Sequence, residues 1–393
     1  MGQPVILDGA RTAVGKLGGA LASLSATELG TIALRASIER SGVLPDDISK
    51  VIFGHVLQGG SGQNPARQVA FGAGLDKTVT AETVNRVCGS GILAMAYASN
   101  LIRLDEHKVI AIGGMESMSQ APFFVRNARF GYRMGTGTFE DMMIVDGLFC
   151  AITRQAMGEQ ANDVAAAEHL GREAQDAWAL RSHERAIAAI DAGRFSRDIV
   201  PIEVTQKRST VTIDTDESPR RDTNLEALAA LRPVFGGEGS VTAGNAPGVN
   251  DGAGALILAD ADHAKNQGYP VRATILAHAD AAWDAPYLAF TPAMAAEKAL
   301  AKAGLAAKNI DLWEINEAFA SVTLIASDRL GIDPELVNVN GGAVALGHPL
   351  AASGPRMVLN LIDELTRRGG GTGVAAICSG GGQGDALVIR VTS

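Results

Sequence analysis

Cys88 stands directly before Gly-Ser-Gly in "TVNRVCGSGILAMAYASNLI", residues 83–102, and an apolar helical pattern follows at once. A thiol at a helix start faces unpaired backbone N–H groups and the positive end of the helix dipole. Both lower its pKa, and the expected product is a nucleophile. Gly89 and Gly91 leave the backbone bare for the approach of a substrate, and the Gly89 N–H is expected to donate to an oxyanion. The plain alternative is a small buried residue packing a helix start.

Three further stretches carry chemistry. "NVNGGAVALGHPLAASGPR" holds His348 in a Gly-rich loop ahead of another helix, where an imidazole takes a proton from a thiol or donates to a carbonyl oxygen. "EINEAFASV" puts Asn316 and Glu317 just after a strand, where a side-chain amide holds a water or a carbonyl, or caps a helix. "AICSGGGQGDA" puts Cys378 at the end of a buried strand, entering Gly380, Gly381 and Gly382. A second thiol there acts as acid or base if its pKa is tuned toward neutral. Cys150, in "DGLFCAI", reads as core.

The elements that position these residues occur twice. "TELGTIALRASIERSGVLPDDISKVIFGHV" reads as helix, turn, strand; Cys88, the helix "ILAMAYASNLIR" and the strand "KVIAIGGMES" follow. "PAMAAEKALAKAGLAAKNIDLWEINEAF" repeats helix, turn, strand; His348, the helix "PRMVLNLIDELTRR" and the strand "GVAAICSGGGQG" follow. Both halves place an Asn-containing strand, "TVN" or "NVN", before the reactive loop. A repeat this long implies two similar α/β domains face to face. The continuous apolar runs fit strands covered on both sides.

Between the halves lies an insert over roughly 120–240. It holds "FFVRNARFGYRMGTGTFEDMM", the helical run "GREAQDAWALRSHERAIAAIDAG" and the hairpin-like "VTQKRSTVTIDTDESPRRDT". "GSVTAGNAPGVNDGAGALILAD" reads as a loop and a buried strand that returns to the first domain. The boundaries expected are 1–119 for the first half, completed by about 241–268, then 120–240 for the insert and 269–393 for the second half.

Composition limits the partners. With 393 residues, 47% hydrophobic and 20% charged, the chain has material for more than one core. A net charge of −9 excludes nucleic acid as the main partner, because phosphate backbones need a basic surface. Three cysteines without C-x-x-C spacing fit a reducing compartment and no structural zinc, and seven histidines show no ligand spacing. No signal segment is expected at the start "MGQPVILDGARTAVGK", and no apolar run spans a membrane, so the expected location is the cytoplasm.

Five ordered motifs, "NRVCGSG", "GGMESMS", "NEAFA", "NVNGGAVALGHP" and Cys378 with "GGGQG", closely resemble the thiolase family across essentially the whole chain. The resemblance implies a five-layer αβαβα fold of two duplicated halves plus a loop domain, and a homotetramer built as a dimer of dimers. It implies Cys88 as the acylated nucleophile, His348 as its activator and Cys378 as the acid/base. Asn316 holds a water beside His348, and Gly380 gives its N–H to the second oxyanion site beside that of Gly89. Coenzyme A and acyl-CoA are substrates, with no resident cofactor and no metal. The insert becomes the coenzyme A platform, with Arg220 near the nucleotide, phosphate contacts from Lys207, Arg208 and Arg221, and Leu148, Met157, Ala246, Pro247 and Phe319 along the pantetheine path. The implied activity is an acyl-CoA C-acyltransferase with ping-pong Claisen chemistry, leaning to acetyl-CoA C-acetyltransferase in fatty acid metabolism, with a degradative 3-ketoacyl-CoA thiolase as the alternative.

Ala156, Pro247, Leu288, Phe290 and Ala351 depart from the family pattern, all around the acyl and coenzyme A tunnel. A decarboxylating ketoacyl synthase would more often carry histidine where Asn316 stands and lack Cys378. A non-catalytic acyl-CoA carrier would have lost at least one of Cys88, His348 and Cys378.

Overall fold

A computed structural model of the chain describes residues 2–206 and 209–392. The first half-sheet runs Thr80–Val84, Lys50–Gly54, Val109–Ser117, Asn250–Asp260, Pro4–Arg11; the second runs Leu312–Ile315, Gly371–Ser379, Gln383–Val391, Ala273–Ala282. In each half one parallel pairing is followed by antiparallel ones in the same order. An isolated bridge between Trp313 and Val337 stands where Thr80–Val84 stands in the first half. The halves join edge to edge through only Val5 with Thr274 and Ile6 with Ala273.

Side-chain alternation sorts the layers. Ile110 and Ile112 face a shared inner core with Ile377 and Ile389, while Val109 and Ala111 face an outer core beneath helices Ala26–Ser41 and Pro65–Gly72. Val374 and Ala376 face the opposite outer core beneath Thr291–Ala303 and Ala320–Leu330. Strands buried on both faces need apolar residues at every position, which is why these read as unbroken hydrophobic runs. Helix, sheet, helix, sheet, helix gives the five-layer αβαβα architecture.

The inner helix layer holds Ser90–Arg103 and Ser353–Arg367, the same helix of each repeat. Their first turns meet at glycine. A Cβ on Gly91 would collide with the Pro355 ring and come within 2.5 Å of the Ala351 carbonyl. One on Gly354 would come within 2.8 Å of the Ile92 nitrogen. The expectation that Gly91 bares the backbone for a substrate is therefore corrected: its bare face is filled by the partner helix. Gly89 serves similarly, since a Cβ there would meet Ser379 Oγ at 2.5 Å and Asp385 Oδ2 at 2.6 Å.

Among the described residues, the buried apolar side chains of the insert join the cores of the halves. Ile202 and Val204 of its hairpin, Ile202–Gln206 with Ser209–Ile213, join the first outer core. Trp178, on helix Arg172–Asp191, joins the second. Strand Asn250–Asp260 lies between Pro4–Arg11 and Val109–Ser117, inside the first half-sheet. Among the described residues no helix is long and apolar enough to cross a membrane.

Gly91→Ala is expected to lower stability by about 1–3 kcal/mol, the usual cost of overfilling a packed contact. Urea denaturation measures it, with Gly237→Ala as the control, since a Cβ there meets nothing within 4 Å.

Candidate active site

Cys88 lies at the end of a sharp reversal in which Val87 adopts φ 47°, two residues ahead of helix Ser90–Arg103. The thiol is buried, and burial pushes its pKa up to about 12; its own N–H and that of Gly380 pull the other way by hydrogen-bonding the sulfur. This corrects the expected lowering, and the reason is local. The first helix N–H groups are already used: Gly89 donates to the Arg86 carbonyl at 3.1 Å and to Ser379 Oγ at 2.9 Å, and Ser90 donates to the Val87 carbonyl at 3.1 Å. The Gly89 N–H is thus committed to protein acceptors, and the N–H groups found at the sulfur are those of Cys88 and Gly380.

Cys378 is the penultimate residue of strand Gly371–Ser379 and is fully buried. Burial raises its pKa well above the ordinary thiol value, and the nearby Cys88 sulfur adds to the rise. The two thiols therefore lie within electrostatic reach of each other, although 290 residues separate them. Beyond Cys378 the chain turns through Gly381 and Gly382, at φ 78° and 70°, a conformation that disfavours a side chain.

His348 follows Gly347 at φ 102° and is held by its backbone N–H, which donates to Asn250 Oδ1 at 2.9 Å. Its Nδ1 lies 2.6 Å from Ser353 Oγ, so Nε2 is the nitrogen left to exchange a proton. Asn316 Nδ2 sits 3.4 Å from Nε2, and Asn316 Oδ1 is buried without a protein partner. A buried acceptor left open marks the place for a water or a substrate atom. Burial pushes the imidazole pKa down to about 3, and the Arg356 guanidinium acts in the same direction.

Two family models cover nearly the whole chain: "Thiolase, N-terminal domain" over residues 4–262 and "Thiolase, C-terminal domain" over residues 269–391. The chain belongs to the thiolase family. It is 47% identical over 386 residues to an acetyl-CoA acetyltransferase of Pseudomonas aeruginosa, covering 98% of each chain. A relative of the same name from Escherichia coli is 45% identical over 387 residues, again covering 98% of each chain. The crystal structure of the Bacillus anthracis acetyl-CoA acetyltransferase superposes with a TM-score of 0.97 at 40% identity, over 100% of this chain and 99% of that one.

Around this thiolase's thiols the residues expected along the pantetheine path divide into two groups. Phe319 shares an apolar cluster with Cys378, Leu288 and Phe290, and Met157 and Ala246 pack against it. Leu148 packs against the cluster that contains Cys88. Pro247 is half-buried next to Ala246. Phe290 stacks on Tyr287 at 5.1 Å and lies under the Arg329 guanidinium, 3.5 Å from the ring centre, so its aromatic face is already occupied. Ala156 caps helix Met157–Ala167.

The expected phosphate contacts fare differently. Arg220 is exposed beside His183, to which its N–H donates at 3.1 Å. Arg221 is paired with Asp191 through contacts of 2.6 and 2.9 Å, on an exposed stretch of the insert. Lys207 and Arg208 lie outside the described residues. Cys150 is buried, as a core residue would be.

Sequence reasoning missed the part Glu317 plays. Its carboxylate accepts from Trp178 Nε1 at 2.9 Å, Ser182 Oγ at 2.7 Å, Asn338 Nδ2 at 2.9 Å and the Val344 N–H at 2.9 Å. It ties the insert helix to the loop leading to His348, next to Asn316. A Cβ on Gly342 would strike this carboxylate, the one local signal that "NGG" carries. Among the described residues no group of three or more His, Cys, Asp or Glu is arranged to hold a metal ion.

His348 is expected to stay neutral from pH 8 to pH 5, read by the nitrogen chemical shifts of its ring; titration near 6.5 would contradict the burial argument. The sign for stability follows from the same shift. Below 6.5 the unfolded imidazole takes a proton that the folded one refuses until about 3. This group leaves stability unchanged above pH 6.5 and lowers it progressively between 6.5 and 3.

Proposed function

We propose that this thiolase is an acetyl-CoA C-acetyltransferase, making or cleaving acetoacetyl-CoA through an acyl-Cys88 intermediate. The observations that carry the reading are two buried thiols close enough for one to raise the pKa of the other, the Gly380 N–H at the Cys88 sulfur, and a buried pair of His348 imidazole and Asn316 amide. The names borne by full-length relatives support the acetyl preference.

In the first half-reaction Cys88 Sγ attacks the thioester carbon as His348 Nε2 takes its proton. The tetrahedral oxygen is stabilised by the N–H groups of Cys88 and Gly380, and coenzyme A leaves with the proton of Cys378, which is left as a thiolate. In the second, Cys378 removes a proton from the methyl carbon of a new acetyl-CoA. The enolate oxygen is held by His348 Nε2 and a water on Asn316. A carbon–carbon bond forms at the acyl carbon, the bond to Cys88 breaks, and its sulfur regains a proton. Both thiols rest protonated: Cys378 becomes a base only after giving its proton to the departing coenzyme A, and Cys88 regains the proton that His348 took.

Coenzyme A is substrate and product here, and no resident cofactor or metal enters the scheme. The 120–240 insert serves as its platform, with Leu148, Met157, Ala246, Pro247 and Phe319 along the pantetheine arm and Arg220 toward the nucleotide. The compartment is the cytoplasm. The assembly is a homotetramer: Phe130, Met134 and Phe139, on the excursion between strands Phe123–Phe124 and Glu140–Asp141, are 91%, 95% and 77% exposed. Apolar residues so placed fit a surface covered by another copy.

Incubation with acetyl-CoA is expected to add one acetyl group at Cys88 by intact and peptide mass. Cys88→Ser is expected to lose turnover by roughly three orders of magnitude or more. Thiolysis across 3-ketoacyl-CoA chain lengths is expected to give the highest kcat/KM at four carbons; a preference for six or more would establish the degradative reading instead. By mass photometry the wild type is expected as a tetramer and Phe130→Ser/Met134→Ser as a smaller species with the thiol site intact; an unchanged mass would refute that surface.

A further inference from the structure

Glu116, in "GGMESMS", is fully buried on strand Val109–Ser117, and no step above uses it. Its carboxylate accepts the Leu57 N–H at 2.9 Å and the Val56 N–H at 3.3 Å on one side, and the Ala351 N–H at 3.3 Å on the other. Each contact leads to a reactive loop. The Val56 carbonyl accepts from Asn85 Nδ2 at 3.4 Å, and Asn85 Oδ1 accepts the Val87 N–H at 2.8 Å, beside Cys88. Ala351 is three residues past His348, whose carbonyl accepts the Leu350 N–H at 2.8 Å. One carboxylate is thus the common anchor of the loops that bear the thiol and the imidazole.

The charged and titratable groups facing it are few. His55 Nε2 lies 3.6 Å from Glu116 Oε1, is itself buried, and has an Nδ1 without a partner. Asp251 acts from the neighbouring strand, and the Glu116 charge in turn raises the pKa of Cys88. Burial pushes Glu116 up to about 7 against the pull of its three N–H donors, with Asp251 adding to the rise. Burial pushes His55 down to about 4, so it stays neutral and supplies no compensating charge near neutrality.

We propose that Glu116 is a positioning residue for acyl transfer: its carboxylate fixes the spacing of the Cys88 and His348 loops, and its negative charge restrains the Cys88 thiolate. The proposal rests on Cys88 being the nucleophile, and the two functions of the carboxylate oppose each other. Fixing the loops speeds transfer, whereas the charge disfavours a second negative charge on sulfur. A residue that merely supported the fold would not separate these effects.

The test is the rate of iodoacetamide alkylation at Cys88, read on its own peptide by mass between pH 6 and pH 9.5. Glu116→Gln keeps the shape, removes the charge and turns an N–H donor toward one of the loops. Its alkylation rate is expected to equal that of the wild type at pH 6, where Glu116 is protonated. Above pH 7 it is expected to exceed the wild type by roughly threefold to tenfold. Over the same range kcat is expected to fall on the order of tenfold with little change in KM, as misplacement of reacting groups would cause.

A rate ratio that stays flat with pH, or a joint fall of alkylation and kcat, overturns the proposal. If Glu116→Gln does not fold, the wild type decides alone: its log rate against pH is expected to flatten near pH 7 and then resume, and a straight line of unit slope overturns the proposal. An acyl label on a residue other than Cys88 would sink the catalytic reading, while the alkylation profile would still report the charge of Glu116.

Discussion

The architecture depends on one close approach, the contact of two helix first turns at Gly91 and Gly354. Each glycine is the second residue of its helix, and each is there because the other helix occupies the space of a Cβ. Cys88 precedes one turn and His348 the other, so this contact sets how near the thiol and the imidazole loops come. Two sheets, two outer helix layers and the insert surround that crossing. Residues far apart in sequence are thereby held by backbone packing rather than by long flexible side chains.

Burial is the cost of such a site and also the source of its control. Every group in it is held in its uncharged form: both thiols by desolvation, the imidazole by desolvation and a neighbouring guanidinium. Charge is favourable only where a donor has been provided, at the N–H groups of Cys88 and Gly380 and at the Asn316 amide. Preorganised donors in a dry pocket stabilise charge that develops during reaction more than charge present at rest. The carboxylate of Glu317 fixes the amide side of this arrangement, and Glu116 anchors the thiol side.

Much of this was legible in the sequence because it obeyed local rules. The continuous apolar strands, the duplicated order of elements and the Gly-rich loops around Cys88, His348 and Cys378 all follow from short-range patterns. The failures were tertiary. A cysteine before a helix predicts a lowered pKa, but Arg86 and Val87 fold back and consume the helix N–H groups before the sulfur meets them. Gly89 and Gly91 look like openings for a ligand, yet both are filled by protein. Glu116 and Glu317 show no spacing signal, since their partners come from loops that only the fold brings near.

Strand Asn250–Asp260 completes the first half-sheet from beyond the insert, between two strands made much earlier. A chain emerging from the ribosome cannot close that sheet until about residue 260 has been translated, although the Cys88 segment was made long before. Cys378 and the Gly380 donor appear later still, beyond strand Ala273–Ala282 and the helices that follow it. A nascent chain therefore carries the Cys88 thiol before the burial that raises its pKa and before the strand that brings Cys378 and Gly380 beside it.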